Sequence, residues 1–245
     1  MKRTRSIQAY DIPERVASYD ANMELMHPNR AKMVAVALEV IPFPEDAALN
    51  ALDLGIGTGY FTLQFLRRYP HARVVAVDGA EAMIELARQR LGDLSGWVTF
   101  CIGDFRDLGG ILPGGIDFDV IYSSYALHHL SCQDKVGVIR QAGKRLQSPG
   151  WFLNADLIVA EDPAVEKRIQ EIRTAGIVER AAGQTDPFRD VASTRRFLES
   201  LEAKEGDQPL ALLEDLRALQ EAGLQKPAVF WLEYREAVTG GVKST

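Results

Sequence analysis

Leu52-Asp53-Leu54-Gly55-Ile56-Gly57-Thr58-Gly59-Tyr60 is the stretch on which the reading of this chain turns. The apolar residues 49–54 that lead into it read as a buried strand, and residues 60–69 behind it read as a helix. Glycines at such a strand-to-helix joint let the backbone turn at positive φ and let a ligand approach the main chain. A dinucleotide fingerprint needs glycine at the first, third and sixth positions, so that the helix start can receive a pyrophosphate. Here the glycines are first, third and fifth, and the sixth position is Tyr60. That spacing argues against NAD.

Working outward, the same alternation continues. Residues 73–77 are β-branched and apolar, a second strand, and residues 80–91 carry Met83, Ala87 and Leu91 on one helical face. Residues 97–102 and 118–123 read as the third and fourth strands. Ser131 and Asp134 cap a helix on which Val136, Ile139, Gly143 and Leu146 recur; Gln147-Ser148-Pro149-Gly150 reads as a turn and residues 151–158 as a fifth strand. Strands separated by helices of this length predict a doubly wound α/β fold, a parallel sheet covered on both faces. Residues 229–232 and 235–239 lie too close together for a crossover helix, so they are expected to pair antiparallel. Before them, Asp207-Gln208-Pro209 opens a helix with Leu213, Leu216 and Gln220 on one stripe, closed by Gly223.

The flanks divide the chain further. Asp11-Ile12-Pro13-Glu14 has the form of a capping box, a second helix starts at Pro28 and runs to Val40, and Pro42-Phe43-Pro44 stops it. One domain is expected: a helical arm (1–44), a ligand-binding core (45–158), a polar helical insertion (159–206) and a closing helix and hairpin (207–245).

Composition narrows the function. The 245 residues are 47% hydrophobic and 25% charged, the mix of an ordinary globular protein. A net charge of −6 makes a broad nucleic-acid-binding surface unexpected. The richest apolar run, residues 33–41, contains Glu39 and falls well short of the ~20 residues that span a bilayer. Lys2-Arg3-Thr4-Arg5 leads into polar sequence, which does not read as a signal peptide, and Cys101 and Cys132 have neither metal-site nor disulfide-framework spacing. A soluble, cytoplasmic protein with no metal, membrane or nucleic-acid partner is expected, with a homodimer left open.

Two acids mark the ligand edge. Asp78 ends the second strand nineteen residues after Gly59, where a carboxylate can accept both hydroxyls of a ribose. Asp104, in Gly103-Asp104-Phe105, follows the third strand, where it can accept an exocyclic amine while the aromatic packs on a purine. Ligands of open α/β sheets bind along this edge.

Together these residues resemble the class I S-adenosylmethionine-dependent methyltransferases, over residues 47–158 and more loosely over the closing helix and hairpin. Residues 52–59 match the family's glycine motif, Val75-Ala76-Val77-Asp78 its acidic second strand, and residues 118–130 its fourth-strand motif in the small-molecule branch. Leu146-Gln147-Ser148-Pro149-Gly150-Trp151 stands where the family often has Leu-x-Pro-Gly-Gly. The resemblance implies a Rossmann-like seven-stranded sheet, order 3-2-1-4-5-7-6, with strand seven antiparallel, and S-adenosylmethionine as cofactor. It implies that Gly55, Gly57 and Gly59 approach the methionine part and that Asp78 binds the ribose. Met83 and Phe105 would flank adenine, Asp104 meet its amine, Ser123 offer its carbonyl to the ammonium, and Asp53, Thr58, Gly79, Gly103 and Tyr19 also belong to the cofactor site. The helical opening and the hairpin are also similar to a carboxy-S-adenosylmethionine synthase, and a non-catalytic S-adenosylmethionine-binding subunit is a third reading.

Methyl transfer from a sulfonium is an in-line displacement, so the protein mainly supplies position and electrostatics. A base is needed only for a protonated acceptor. Tyr125, His128 and His129 follow the fourth strand; adjacent residues on a helical turn are not expected to face one ligand, and His128 is the favoured base with Tyr125 beside it. Tyr10, Tyr19 and Met23 sit on the arm, which can close over the cofactor and exclude water. The insertion carries eight basic and ten acidic side chains and reads as solvated helix faces, with Arg189 and Arg195 as candidate clamps for an acidic acceptor. The expected function is methyl transfer from S-adenosylmethionine to a small molecule, at N, O or C.

Overall fold

The computed structural model describes residues 4–12, 19–182 and 186–244. Seven strands form one sheet: β1 (Asn50–Leu54), β2 (Arg73–Asp78), β3 (Val98–Ile102), β4 (Phe118–Ser124), β5 (Leu146–Leu157), β6 (Gln225–Glu233) and β7 (Glu236–Lys243). Their order is β3-β2-β1-β4-β5-β7-β6. The β1–β2, β1–β4, β2–β3 and β4–β5 pairs are parallel, and β7 runs antiparallel to both β5 and β6. The expected order and the antiparallel last strand are both present.

The two-residue period of the strands splits the core into two layers. Ala51, Val74, Ala76, Val120 and Tyr122 point to one face, and Leu52, Leu54, Val75, Val77 and Ile121 to the other. Helices α1 (Arg5–Tyr10) and α2 (Tyr19–Met26) form the arm. Beneath the first face lie α3 (Arg30–Val40), α4 (Tyr60–Arg68) and α5 (Glu81–Leu91). Phe61, Phe65 and Leu66 of α4 are buried there, while Arg67 and Arg68 sit in its last turn, where a positive charge meets the negative end of the helix dipole. The second face is covered by α6 (Leu108–Ile111) and α7 (Cys132–Lys144), and Ser131 caps α7 by accepting the Asp134 N–H at 3.1 Å. In the insertion, α8 (Pro163–Ala181) is capped by Asp162, and α9 (Val191–Glu205) by an Asp190–Ser193 capping box. These two helices and α2 share a small core of Met26, Ile177, Ala181, Phe188 and Leu198. The last helix, α10 (Leu212–Glu221), returns to the second face.

Four local expectations change. α10 starts at Leu212 and not at Asp207, because the Gln208 N–H donates to the His128 carbonyl at 2.7 Å and the Val159 N–H to that of Leu210 at 3.1 Å. Those bonds hold the preceding residues extended across the sheet end, so the buried stripe becomes Asp215, Ala218 and Leu219 while Leu213 is exposed. The turn expected at residues 147–150 is an irregularity inside β5: Phe118 pairs with Leu146 and Val120 with Trp151. α3 begins at Arg30, two residues past Pro28, after Asn29. Asp11 ends α1, which Thr4 caps, and its carboxylate accepts the Ala82 N–H at 3.3 Å; Glu14 lies outside the described residues.

Candidate active site

Along the carboxyl ends of β1 to β4, the edge where open α/β sheets bind ligands, runs a cleft of about 880 Å³, its open mouth included. Gly55, Gly57, Asp78 and Phe105 form its sheet-side wall, and Ile7, Tyr10 and Tyr19 of the arm roof it. The Gly55 and Ile56 N–H groups donate to the Val77 carbonyl at 2.9 and 3.2 Å, which stitches the glycine loop to the end of β2. Gly55 (φ +84°) is packed: a Cβ there would lie 2.5 Å from the Ala126 Cβ. Gly57 (φ +51°) is the opposite, with nothing within 4 Å of where a Cβ would stand. One glycine serves the fold and the other leaves room in the cleft.

Asp78 is held by backbone alone. Its Oδ2 accepts the Gly57 N–H at 2.8 Å and its Oδ1 the Ala80 N–H at 2.9 Å. Burial raises its pKa against the pull of those bonds. Above the turn, Ile7 of α1 packs so tightly on Gly79 that a Cβ there would stand 2.5 Å from the Ile7 Cδ1. Asp53 lies deeper, buried in β1. The Tyr122 hydroxyl donates to Thr62 at 2.9 Å, and Thr62 donates to Asp53 Oδ2 at 2.6 Å. Burial, opposed by the Thr62 bond and reinforced by the Asp78 charge, lifts the Asp53 pKa to about 7. Asp104 also lines the cleft, but Arg106 clasps it, with Nη2 2.6 Å from Oδ2 and the backbone N–H 3.0 Å from Oδ1.

Asp53, Gly55, Gly57, Thr58, Asp78, Gly79, Gly103, Asp104, Phe105 and Tyr19 all line this cleft. Gly59, Met83 and Ser123 do not. Gly59 faces Ala87, Met83 is buried in a cluster with Tyr10 and Tyr19, and the Ser123 hydroxyl donates to the Leu54 carbonyl at 2.7 Å while Ser124 lines the cleft. Thr58 belongs to a network unseen in the sequence. It donates to Asp20 at 3.0 Å and accepts from Arg90 at 2.8 Å, while Arg30 and Arg90 both pair with Asp20. The guanidinium of Arg30 sits 4.3 Å from the centroid of the Tyr60 ring. Burial alone would raise the Asp20 pKa, but the two arginines outweigh it and hold it below the usual carboxylate range.

The histidines fall differently from expectation. The chain after β4 makes a 3₁₀ turn, Leu127–His129, whose rings approach to 4.1 Å. His129 lines the main cleft, whereas His128 lines a smaller cavity with Tyr125 and Asp207. His128 is turned inward because its Nδ1 lies 2.6 Å from Asp156 Oδ1. Both rings nevertheless reach one carboxylate: Asp207 Oδ1 is 2.8 Å from His129 Nδ1 and 3.8 Å from His128 Nε2. Burial disfavours the charged form of His128, yet the Asp156 and Asp207 carboxylates prevail and raise its pKa; burial and the neighbouring His128 lower that of His129.

Tyr125 (φ +48°) lines both cavities, and its hydroxyl donates to Glu236 Oε1 at 2.7 Å, as does His27 Nδ1 at 3.0 Å. Burial and the Glu236 charge push the Tyr125 pKa well up, so it acts as a proton-holding donor. Asp156, Asp207, Glu236 and His27 were missed from sequence. Only Asp156 carried a signal, as a charged residue beside Asn154 in an otherwise apolar strand. Arg189 pairs with Asp190 at 3.2 Å on the exterior. Arg173 and Arg180 line a second cleft of about 630 Å³, its open mouth included, with His27 and Glu236; neither Arg189 nor Arg195 lines it, the main cleft or the smaller cavity.

Residues 51–150 match the methyltransferase domain family. An uncharacterized methyltransferase of Anoxybacillus flavithermus is 33% identical over 130 residues, 53% of this chain and 57% of that protein. The chain thus spans a little over half the length of that relative. An O-methyltransferase family protein from Burkholderia thailandensis superposes with a TM-score of 0.68 at 19% identity, over 99% of this chain and 66% of that one. Human N-acetylserotonin methyltransferase, solved in complex with S-adenosylmethionine, superposes with a TM-score of 0.60 at 15% identity, over 96% of this chain and 58% of that one. At these identities the structures establish a shared fold. No helix among the described residues is long and apolar enough to cross a membrane. The sequence match over residues 51–150, which carry the glycine loop and Asp78, and a fold likeness over nearly the whole chain together support a class I S-adenosylmethionine-dependent methyltransferase, with S-adenosylmethionine as the cofactor.

Proposed function

We propose that this chain transfers a methyl group from S-adenosylmethionine to a small-molecule acceptor. The observation that carries the reading is Asp78, a carboxylate oriented by the Gly57 and Ala80 N–H groups at the edge of a cleft that Gly57 leaves open. When bound, the cofactor supplies an electrophilic methyl on a sulfonium with its leaving group built in. The cleft's own groups suit that ligand. Asp78 offers acceptors to a ribose diol, Phe105 a flat apolar surface to a purine, and Asp104 an acceptor to its amine once Arg106 swings aside. Tyr10 and Tyr19, edge to face at 5.7 Å, cover the cleft and exclude water from it. The acceptor is read as entering from the side of Tyr125, where the cleft meets the smaller cavity of His128 and Asp207. Tyr125 keeps its proton and orients; it is not assigned as a base. The net charge of −6 favours a small acceptor over RNA, and two free cysteines suit the cytoplasm.

Calorimetry tests the reading. Purified protein is expected to bind S-adenosylmethionine and its demethylated product with micromolar affinity, roughly −8 kcal/mol. Asp78→Ala is expected to weaken both more than tenfold, because it strands two N–H donors at about 1–3 kcal/mol each and removes the ribose acceptor. Incubating a metabolite extract with isotopic methyl donor should then label a small molecule. Tight NADH binding without S-adenosylmethionine binding would refute the reading, as would label found mainly in tRNA. A co-purified ligand one carboxylate heavier than S-adenosylmethionine would replace it with the synthase reading.

A further inference from the structure

We propose that His128, His129 and Asp207 form a binding site for a divalent transition-metal cation in the wall of the cofactor cleft. Each offers one ligand atom, and the three atoms lie within 4.8 Å of one another. An ion bound at about 2.0–2.2 Å holds its ligand atoms roughly 3–4 Å apart, so small side-chain rotations complete the site from the observed 2.8 and 3.8 Å separations. Two imidazoles and a carboxylate are a donor set that zinc and ferrous iron both accept.

The surroundings support this assignment independently of the three ligands. Metal-bound histidines typically give their second nitrogen to a carboxylate, which fixes the ring and its tautomer. His128 does so already: Nδ1 is taken by Asp156 at 2.6 Å, leaving Nε2 directed at Asp207. Asp156 Oδ2 is itself buried with no hydrogen-bond partner among the described residues. The buried Asp156 and the half-buried Asp207 thus flank the His128 ring from its two nitrogens, a concentration of negative charge that a divalent cation offsets. Gln208 locks the geometry, since its N–H donates to the His128 carbonyl at 2.7 Å and brings Asp207 to the turn. His129 faces the cleft and His128 the small cavity, so an ion between them keeps an open side at their junction. The ligand this side takes is an oxygen donor: water, or, on the methyl-transfer reading above, an acceptor carrying an enol, phenol or carboxylate oxygen.

The test uses tag-free, full-length protein stripped with a chelator and then titrated with Co²⁺ in the absence of cofactor, so that its outcome is independent of methyl transfer. The expected result is a visible d–d band that saturates at one ion per chain and is displaced by Zn²⁺. His129→Gln and Asp207→Asn are expected to weaken binding at least tenfold. Asp156→Asn, which changes a positioning residue and leaves all three ligands in place, should weaken it roughly 10- to 100-fold. His71→Ala, at an exposed histidine outside the cluster, should change nothing. Circular dichroism of each variant separates loss of the site from loss of the fold; if Asp207→Asn does not fold, His129→Gln decides. Absence of a Co²⁺ band in the wild-type protein overturns the proposal. So does a band that survives in both folded ligand variants, which marks an adventitious ion only.

Discussion

The two walls of the main cleft are built on different principles. The sheet-side wall is backbone: Gly57 and Ala80 N–H groups hold Asp78, and the Val77 carbonyl holds the glycine loop. The arm-side wall is side chains drawn from far apart: Asp20 meets Arg30, Thr58 and Arg90, and Tyr10 packs on Tyr19 and, at 5.8 Å, on His129. The backbone groups of the first wall are fixed by the parallel pairing of β1 with β2 and tolerate little change. Partly exposed ion pairs are screened by solvent, and an element they hold can open and close at small cost. The difference suits a site whose one half must be rigid for binding and whose other half must admit a ligand.

The largest expected effect sharpens this contrast within the rigid wall. Gly55→Ala places a Cβ 2.5 Å from that of Ala126 at φ +84°. Overpacking at about 1–3 kcal/mol and left-handed strain at about 1–2 kcal/mol should together lower the unfolding free energy by roughly 2–5 kcal/mol in urea titrations. Gly57→Ala carries only the strain, about 1–2 kcal/mol, yet its methyl projects into the cleft. It should keep most of its stability and lose more than tenfold in S-adenosylmethionine affinity. If the two variants behave alike, the division between a packing glycine and a cleft glycine fails.

The next effect reads the buried floor through pH. The Asp53 pKa is about 7 in the folded chain against 3.8 for the free group, so unfolding releases a proton between those values. Its contribution to stability is therefore full below pH 3.8, declines as pH rises through 7, and stays lost above that. Between pH 5 and 7 the decline amounts to about 2–3 kcal/mol. Asp53→Asn, which preserves an acceptor for Thr62, should flatten that part of the pH–stability curve measured by thermal or urea unfolding. A variant whose curve parallels the wild type would show that Asp53 does not titrate there.

The smallest effect probes the arm. Asp20 is one-third exposed, so Asp20→Asn should cost no more than about 1 kcal/mol of global stability. It should nonetheless loosen Tyr19 and weaken S-adenosylmethionine binding by roughly two- to fivefold, a deficit that shrinks in high salt as screening weakens the wild-type pairs too. A loss as large as that of Asp78→Ala would mean that the arm is as rigid as the sheet.

The elements most legible in sequence are those whose signals are local. β1, β2, α5 and α7 fall within a residue or two of their expected bounds, because alternation, helical spacing and the Ser131 cap act over a few residues. Asp78 was found for the same reason, since it ends a strand that follows the glycine loop. Where a contact from elsewhere intervened, local reading failed. Leu213 looked like part of a buried stripe, but the bond from Gln208 to the His128 carbonyl delays α10 and turns Leu213 outward.

Sequence alone therefore determined the doubly wound sheet, the resemblance to the methyltransferases and the place of Asp78 at a strand end beside the glycine loop, because hydrophobic period and glycine placement encode them within short windows. Tertiary structure alone decided which histidine faces the cleft and what each one touches. His129 meets Asp207, seventy-eight residues away, and His128 meets Asp156, twenty-eight away. No periodicity links such pairs. They become neighbours only when β4, β5 and the extended residues before α10 are laid side by side at one edge of the sheet, where burial turns a carboxylate and an imidazole into partners.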